Sequence, residues 1–170
     1  MYASQTYCRT RGFTLIEVLV YLGIFSILIG GTVTAVYHML EGSARTQTAV
    51  MLQEEGNFLI AKINWALSGV ESVNVSNPTT LSVVKYTSTG TTNITITESG
   101  TDLVLQQDAD PAVPLNNTNV EVSGTLFVHT APSGSGINPE SVSAHVTLST
   151  KTPNGMVLTK EFETTAYLRK

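Results

Sequence analysis

The sequence predicts an α+β protein in which one long N-terminal helix packs on an antiparallel β-sheet domain. Three observations predict this fold: an apolar segment from Phe13 to Val36, apolar residues at helical spacing as far as Leu67, and short β-prone runs beyond Gly69. We expect four parts, which are a leader over 1–12, a transmembrane segment over 13–36, an amphipathic continuation of the helix over 37–68 and a β-rich head domain over 69–170.

The composition limits both the size and the partners of the protein. Its 170 residues suffice for one modest core with an appended helix. Only 13% of them are charged, which is low for a soluble domain. The net charge of −4 becomes −6 without Arg9 and Arg11 of the leader, because seven basic residues then oppose 13 acidic ones. That balance does not favour nucleic acid as a partner. The sole cysteine, Cys8, lies in the leader, so the rest of the chain forms no disulfide.

The apolar segment from Phe13 to Val36 is long enough to cross a membrane. At about 1.5 Å per residue it makes about 36 Å of helix, against a hydrocarbon core of about 30 Å. Positive charge before such a segment keeps the N-terminus in the cytoplasm. We therefore expect a single pass through the cytoplasmic membrane, with the C-terminal domain outside the cytoplasm.

Glu17 is the unusual residue of this segment. A lone carboxylate inside a bilayer costs about 2–4 kcal/mol, so it is expected to have a partner and a function. A plain membrane anchor gains nothing from it. A cleaved signal peptide is conceivable, since small residues precede a potential cleavage point after Ala35. That interpretation also leaves Glu17 unexplained.

Residues 11–20 read RGFTLIEVLV, and they resemble the processing motif of type IV prepilins and type II secretion pseudopilins. The resemblance implies that a prepilin peptidase of a bacterial membrane cuts after Gly12 and methylates the new N-terminus at Phe13. It also implies that Glu17 is the family's glutamate, which serves assembly and register. The specific part of the resemblance covers only the first 20–25 residues.

The chemistry of the cut chain is consistent with that role. Cleavage would expose a positively charged amine on Phe13 at membrane depth, and Glu17 carries the opposite charge. The two residues are four apart, so they could face each other within one helix. In a filament, the amine of an incoming subunit could instead pair with Glu17 of its neighbour. A buried ion pair is better suited to fixing register than to adding stability.

Two stripes continue along the amphipathic part of the helix. The first has helical spacing and consists of Leu52, Gly56, Leu59, Ile60, Ile63 and Leu67. The second, Met51, Phe58 and Trp65, repeats every seven residues about 120° away. We expect the first stripe to pack on the head domain. The second is either a contact with neighbouring subunits or part of the core.

Gly30 and Gly31 interrupt the apolar segment. Each glycine weakens an exposed helix by about 1 kcal/mol relative to alanine. In related pilins this zone can bend or lose helicity within the filament, so the resemblance implies helix flexibility at these two glycines. The alternative is close packing between transmembrane helices at small residues.

The remainder of the chain predicts an antiparallel sheet of about six strands. Alternating polar and apolar residues and turn signals at 98–102 and 152–155 indicate hairpins. A proline- and glycine-rich stretch, 131–139, predicts a loop. The predicted strands are Thr80–Tyr86, Asn93–Glu98, Asp102–Gln107, Asn119–His129, Ser141–Thr150 and Met156–Leu168.

No catalytic motif accompanies this layout, so we expect neither an enzyme nor a cofactor. The chain lacks zinc-type histidine spacing, a Gly-x-Ser-x-Gly elbow and a phosphate-binding loop. Asp102, Asp108 and Asp110 form one acidic cluster whose alternating oxygen ligands would suit Ca²⁺. The cluster lacks the length and the glycine of a calcium loop, which favours solvated turn carboxylates and no metal.

The order of a helix followed by a strand-rich domain resembles that of J-type minor pseudopilins and minor pilins. The resemblance implies a structural subunit, held first in the bacterial cytoplasmic membrane and then in a periplasmic or cell-surface filament. It implies as partners the prepilin peptidase/methyltransferase, other pilin or pseudopilin subunits, an inner-membrane assembly platform and membrane lipid. The alternative is a membrane-anchored adhesin or substrate-binding tip module whose β-domain carries specificity, for example in the loop 131–139.

Overall fold

The computed structural model describes residues 12–88, 90–132 and 139–168. The leader before Gly12 and residues 133–138 of the predicted loop therefore lie outside the described residues. Contacts divide the chain into two units, Met1–Ser43 and Ala44–Lys170. In chain order the elements are α1 (Leu15–Leu67), β1 (Val70–Asn77), β2 (Thr80–Thr87), β3 (Gly90–Ser99), β4 (Asp102–Gln107), β5 (Val113–Pro114), β6 (Glu121–Thr130), β7 (Ser141–Lys151) and β8 (Val157–Tyr167). A long helix and antiparallel sheets confirm the predicted α+β class.

Helix α1 begins at Leu15, two residues later than the predicted start, because Thr14 caps it. The Thr14 hydroxyl oxygen accepts a hydrogen bond from the backbone N–H of Glu17 at 3.4 Å. The Thr14 carbonyl accepts one from the N–H of Val18 at 3.2 Å. A threonine followed three residues later by glutamate is the capping-box pattern, and an acidic side chain in the first turn suits the helix dipole.

The transmembrane part of α1 satisfies its own polar groups. The hydroxyls of Ser26, Thr32 and Thr34 donate to the carbonyls four residues earlier, at 2.8, 2.7 and 2.9 Å. Such bonds remove unsatisfied donors from the hydrocarbon layer. Among the described residues this is the one helix long and apolar enough to cross a membrane, in agreement with membrane anchoring. It runs through Gly30 and Gly31 without a break.

The second unit contains the C-terminal part of α1, whose first stripe enters the core as predicted. Its buried members are Leu52, Gly56, Leu59, Ile63, Ala66 and Leu67. Ile60 is half-buried beside them. On one flank of the helix, the Glu55 carboxylate accepts a hydrogen bond from the N–H of Asn117 at 2.6 Å, which fixes α1 to the connector between β5 and β6.

The C-terminal end of α1 is closed by a residue from another element. The last turn contains no basic residue of its own. Instead, the ammonium of Lys85 on β2 donates to the carbonyl of Trp65 at 2.8 Å and to the Ser68 hydroxyl at 3.2 Å. A cation there complements the negative end of the helix dipole. Gly69 follows with φ +65°, the left-handed conformation that commonly ends a helix.

The strands form two antiparallel sheets rather than the single predicted sheet. Strands β1 to β5 lie in sequence order in one sheet, and β6, β7 and β8 form the other. The separation occurs at β6, whose backbone donates to turns of the first sheet. The N–H of Phe127 bonds the carbonyl of Pro78 at 2.7 Å, and that of Val122 bonds the carbonyl of Thr101 at 2.8 Å. Strand β6 therefore crosses the end of the first sheet instead of extending it.

Both sheets contribute alternate side chains to one core beneath α1. On β7 the even-numbered residues from Val142 to Thr150 are buried, and the residues between them face outward. This confirms the predicted alternation. The largest fully buried side chains come from α1 and from both sheets, and include Leu59, Leu81, Ile96, Phe127 and Leu148.

The buried side chain of Asn116 holds the β5–β6 connector against the start of β4. Its oxygen accepts a hydrogen bond from the N–H of Leu103 at 2.9 Å. Its nitrogen donates to Val120 at 2.7 Å, to the Asp102 carboxylate at 3.0 Å and to Thr101 at 3.3 Å. These partners are backbone groups of Leu103, Thr101 and Val120 and the Asp102 carboxylate. The Asn116 amide therefore supplies hydrogen bonds to polar groups that strand pairing leaves without a partner.

Thr125 gives a stability prediction, because its hydroxyl is buried and has no hydrogen-bond partner among the described residues. Replacing it with valine should leave the unfolding free energy unchanged or raise it by up to about 1 kcal/mol, since no bond is lost. Thr150→Val is the matched control, because the Thr150 hydroxyl donates to the Asn119 carbonyl at 2.7 Å. It should cost about 1 kcal/mol. Chemical unfolding of the detergent-solubilised chain checks both, and a loss for Thr125→Val equal to the control would contradict the prediction.

Candidate functional site

The predicted cleavage point lies before the helix. Gly12 and Phe13 have no helical assignment, and the Phe13 side chain is 77% exposed. Apart from Gly12 itself and its two chain neighbours, no atom lies within 4 Å of the position that a Cβ at Gly12 would occupy. The bond between the two residues is therefore in non-helical backbone that the rest of the described chain does not cover.

Glu17 occupies the first turn of α1 and is half-buried, unlike its neighbours. Its carboxylate accepts a hydrogen bond from the Tyr21 hydroxyl at 3.3 Å. It forms no ion pair with a basic side chain of the described residues. Sequence reasoning missed Tyr21, although its spacing of four residues from Glu17 is the spacing of facing helix neighbours.

An apolar face follows Glu17 along the helix. Phe13, Tyr21, Ile24 and Leu28 line one exposed apolar groove of the first unit. At about 100° per residue they share the side of the helix from which Glu17 projects. The only carboxylate of the transmembrane segment thus lies at the N-terminal end of an uncovered apolar stripe. This arrangement suits a contact with another apolar helix that brings a positive charge.

The second predicted stripe divides into two parts. Met51 is half-buried and packs against the core. Phe58 and Trp65 are each 44% exposed, so they lie on the surface of the second unit. The Lys62 ammonium is 5.6 Å from each ring centroid, and that of Lys85 is 4.4 Å from the indole centroid. Lys62 could have been predicted from the sequence, because it lies four residues after Phe58 and three before Trp65 on the same helix. Lys85 could not, because it belongs to β2 and nothing near it in the sequence indicates that it contacts Trp65.

The acidic cluster does not come together as one site. Asp102 begins β4 and Asp108 follows its last residue, which separates them by about 20 Å of extended chain. The Asp108 carboxylate accepts the N–H of Asn93 at 2.8 Å and stabilises a turn in which Asp108 has φ +50°. In the part of the chain that the structure describes, no three acidic, histidine or cysteine side chains are grouped to hold a metal ion.

Comparison with known proteins identifies the N-terminal motif. The family model described as the prokaryotic N-terminal methylation motif matches residues 8–33. No curated protein and no solved structure matches the chain. The matched segment includes Gly12, Phe13, Glu17 and Tyr21 and ends before the second unit begins.

Proposed function

The chain carries the N-terminal processing motif of the type IV pilin family, and on that premise we propose that it is a minor pilin or pseudopilin. It is a structural subunit of a pilus-like filament or a type II secretion pseudopilus, without catalytic activity of its own. The observation that carries the proposal is Glu17, which is placed in the first turn of an otherwise apolar helix, five residues after Gly12. Processing by prepilin peptidase and assembly with pilin subunits in general follow from the motif.

Assembly uses the charge that cleavage creates. The new amine at Phe13 lies one residue before the Thr14 cap, outside the helix. The helix therefore does not fix its direction, and it can point towards a neighbouring subunit. When a processed subunit enters the filament, its amine pairs with Glu17 of a neighbour, and the apolar faces of the two helices pack together. An ammonium is a stronger donor to a carboxylate than the neutral Tyr21 hydroxyl, so it displaces that contact.

Before assembly the subunit lies in the bacterial cytoplasmic membrane as a single-pass protein with its head domain outside the cytoplasm. The basic leader supports this orientation. The partners are the prepilin peptidase/methyltransferase, an inner-membrane assembly platform, membrane lipid and other subunits. A minor rather than a major role is supported by the J-type layout and by the absence of a cysteine after the leader to close a C-terminal loop.

A second candidate function is a tip module whose β-domain binds a ligand. One polar row favours it: Asn74, Ser82, Thr95 and Gln106 lie in register across β1 to β4. This row is uncharged, and it lies on the face opposite to the buried residues Leu81, Val83, Ile94 and Ile96. Replacing Ser82 and Thr95 with lysine would abolish ligand binding while filaments still form; unchanged adhesion or secretion would exclude this candidate.

Intact-mass measurement of the membrane-extracted protein tests the leading proposal. We expect a chain that lacks residues 1–12 and carries one methyl group on Phe13. A chain that begins after Ala35 would support the signal-peptide interpretation, and an uncleaved chain would support a plain anchor. Either result would overturn the proposal.

A further inference from the structure

We propose that the outer edge of strand β8 (Val157–Tyr167) binds an extended segment of a different filament subunit as an added strand of the three-stranded sheet. The added strand places basic side chains beside Glu161 and Glu163 and apolar side chains on the opposite face. The inference rests on the proposed function, because the partner is another subunit of the same assembly.

Hydrogen bonds at the two ends of β8 show which of its backbone groups are unpaired. The N–H of Leu168 donates to the carbonyl of Glu140, and the N–H of Thr152 donates to the carbonyl of Met156, both at 2.8 Å. Both pairs continue the register of β7 with β8, and bonded pairs alternate with non-bonded pairs along an antiparallel ladder. The even-numbered residues of β8 therefore bond β7. The odd-numbered residues direct their N–H and C=O groups away from it, and they are Val157, Thr159, Glu161, Glu163, Thr165 and Tyr167.

This row of backbone groups is open within the described residues. No described strand pairs with the outer side of β8, and no described backbone group outside the sheet bonds the six odd-numbered residues. All six are exposed. Their strand is about 35 Å long at the usual rise per residue. A row of unpaired donors and acceptors of this length is a template for another strand.

The other edge strands of the described sheets, β1, β5 and β6, are less open. Strand β1 has two register shifts, and such irregularities interrupt an edge. Strand β5 has two residues and ends in Pro114. Strand β6 already donates to the carbonyls of Pro78 and Thr101 in the first sheet. By contrast, β8 pairs with β7 over all eleven of its residues without a register shift and contains no proline.

The charge of the edge disfavours a second copy of this chain as the partner. Full antiparallel pairing of two β8 strands would centre on Phe162 and put Glu161 of each copy opposite Glu163 of the other. Like charges directly opposite each other destabilise a sheet, whereas opposite charges stabilise it. The Glu161 side chain is 73% exposed, and its carboxylate has the His145 ring at 3.7 Å as its neighbour. The edge therefore favours a strand with lysine or arginine at these positions.

The inner side of β8 defines the other face of the partner. Leu158, Phe162 and Ala166 are half-buried and pack against the core, so an added strand can cover the parts that remain exposed. The Lys160 ammonium lies 5.9 Å from the Phe162 ring centroid, and its flexible side chain can move aside. The partner segment consequently alternates basic or polar residues with apolar ones.

A synthetic peptide tests whether the edge accepts such a strand. The probe is a fluorescent peptide in which lysine and threonine alternate with valine, and its anisotropy is measured with the full chain in non-ionic detergent. We expect saturable binding, and binding at least about tenfold weaker when glutamate replaces lysine, because like charges then meet.

Two N-methylated forms of the peptide separate strand pairing from charge attraction. One is methylated on the backbone nitrogens of its polar residues and the other on those of its valines. Alternate N–H groups of a strand point to opposite sides, so one form should bind at least about tenfold more weakly than the other. Equal binding of the two forms would overturn the proposal.

Variants of β8 locate the binding at its edge. Thr159→Pro removes one outward N–H and keeps every bond to β7, so it should weaken peptide binding at least about tenfold. Thr159→Val keeps the N–H and should bind as the native chain does. Glu161→Lys with Glu163→Lys should reverse the preference, so that the glutamate peptide binds better than the lysine peptide. Thermal unfolding checks that each variant is folded, and an unchanged preference in the charge variant would contradict the proposal.

Assembly in cells tests whether the partner is a subunit. Thr159→Pro should be cut after Gly12 as usual, and its amount in sheared filaments should fall at least about fivefold relative to Thr159→Val, because an added strand contributes many backbone bonds. Normal incorporation of Thr159→Pro would show that no subunit uses the edge. A dimer of the solubilised chain that Thr159→Pro dissociates would show that the edge binds a second copy, and would overturn the choice of partner.

The outcomes separate this inference from the proposed function. If the mature chain begins at methylated Phe13 and enters filaments, but no peptide binds the edge, the added strand is wrong and the proposed function stands. A chain that is not cut after Gly12 overturns the proposed function and, with it, a filament subunit as the partner.

Discussion

Replacing Glu17 with glutamine should leave cleavage after Gly12 intact and reduce incorporation into filaments by more than about tenfold. Glutamine keeps the size of the side chain and an acceptor for the Tyr21 hydroxyl, so only the charge is removed. The amine of an incoming subunit would then be buried without a counter-charge. Breaking one partner of a buried ion pair costs about 3–5 kcal/mol, and about 1.4 kcal/mol already corresponds to a factor of ten.

The measurement compares the membrane pool with the filament fraction. Intact mass reports cleavage at Phe13 in the pool, and quantitative immunoblotting reports the amount of subunit in sheared filaments. Tyr21→Phe is the matched control, because it removes the hydroxyl 3.3 Å from the Glu17 carboxylate and keeps the charge. It should assemble nearly as well as the native chain. Normal incorporation of Glu17→Gln would show that the carboxylate does not bind the amine.

The second large effect is expected at Gly56, where α1 approaches β8. A Cβ at this position would overlap the ring of Phe162. Forcing extra volume into a packed contact costs about 1–3 kcal/mol, while alanine gains up to about 1 kcal/mol over glycine in a helix. Gly56→Ala should therefore lower the free energy of unfolding by about 1–2 kcal/mol, as measured by chemical unfolding of the detergent-solubilised protein.

Two further variants assign that loss to the overlap. Gly42→Ala lies in the same helix, and beyond the adjacent helix backbone no atom lies within 4 Å of its Cβ position, so it should be neutral or stabilising. Phe162→Ala removes the ring, and Gly56→Ala added to it should cost less than Gly56→Ala alone. A double-mutant cycle measures this difference. Equal costs in the two backgrounds would mean that Phe162 is not the reason for the glycine.

Local patterns in the sequence were enough to predict the helix, its buried stripe and six of the strands. Strand β1 was missed because register shifts between Val70 and Ser72 and between Asn74 and Asn77 break its alternation. Strand β5 has two residues, one of them Pro114, and is too short to leave a pattern. The division into two sheets depends on hydrogen bonds from β6 to distant turns, which no local signal reports.

The candidate sites show the same limit. Gly12, Phe13 and Glu17 were identified because their motif is contiguous in the chain. The surface of Phe58 and Trp65 was found only in part, since Lys85 joins it through the pairing of the first sheet. The interpretation of Trp65 as a core residue is wrong, because that ring is 44% exposed. The grouping of Asp102 with Asp108 failed for the opposite reason. The two residues are close in sequence, but they lie at opposite ends of an extended strand and are therefore far apart in space.

The internally bonded hydroxyls of Ser26, Thr32 and Thr34 have a consequence for the subunit before it assembles. Because each hydroxyl donates to its own helix, the surface that this segment presents to lipid is apolar on almost every side. The segment therefore has no preferred rotation about its own axis. Such a subunit can rotate about the helix axis and diffuse in the plane of the membrane without breaking hydrogen bonds of these hydroxyls. Glu17 is the one carboxylate that breaks this rotational symmetry. On the proposed function, its pairing with the amine of another subunit would therefore set both the depth and the rotational orientation of the helix during assembly.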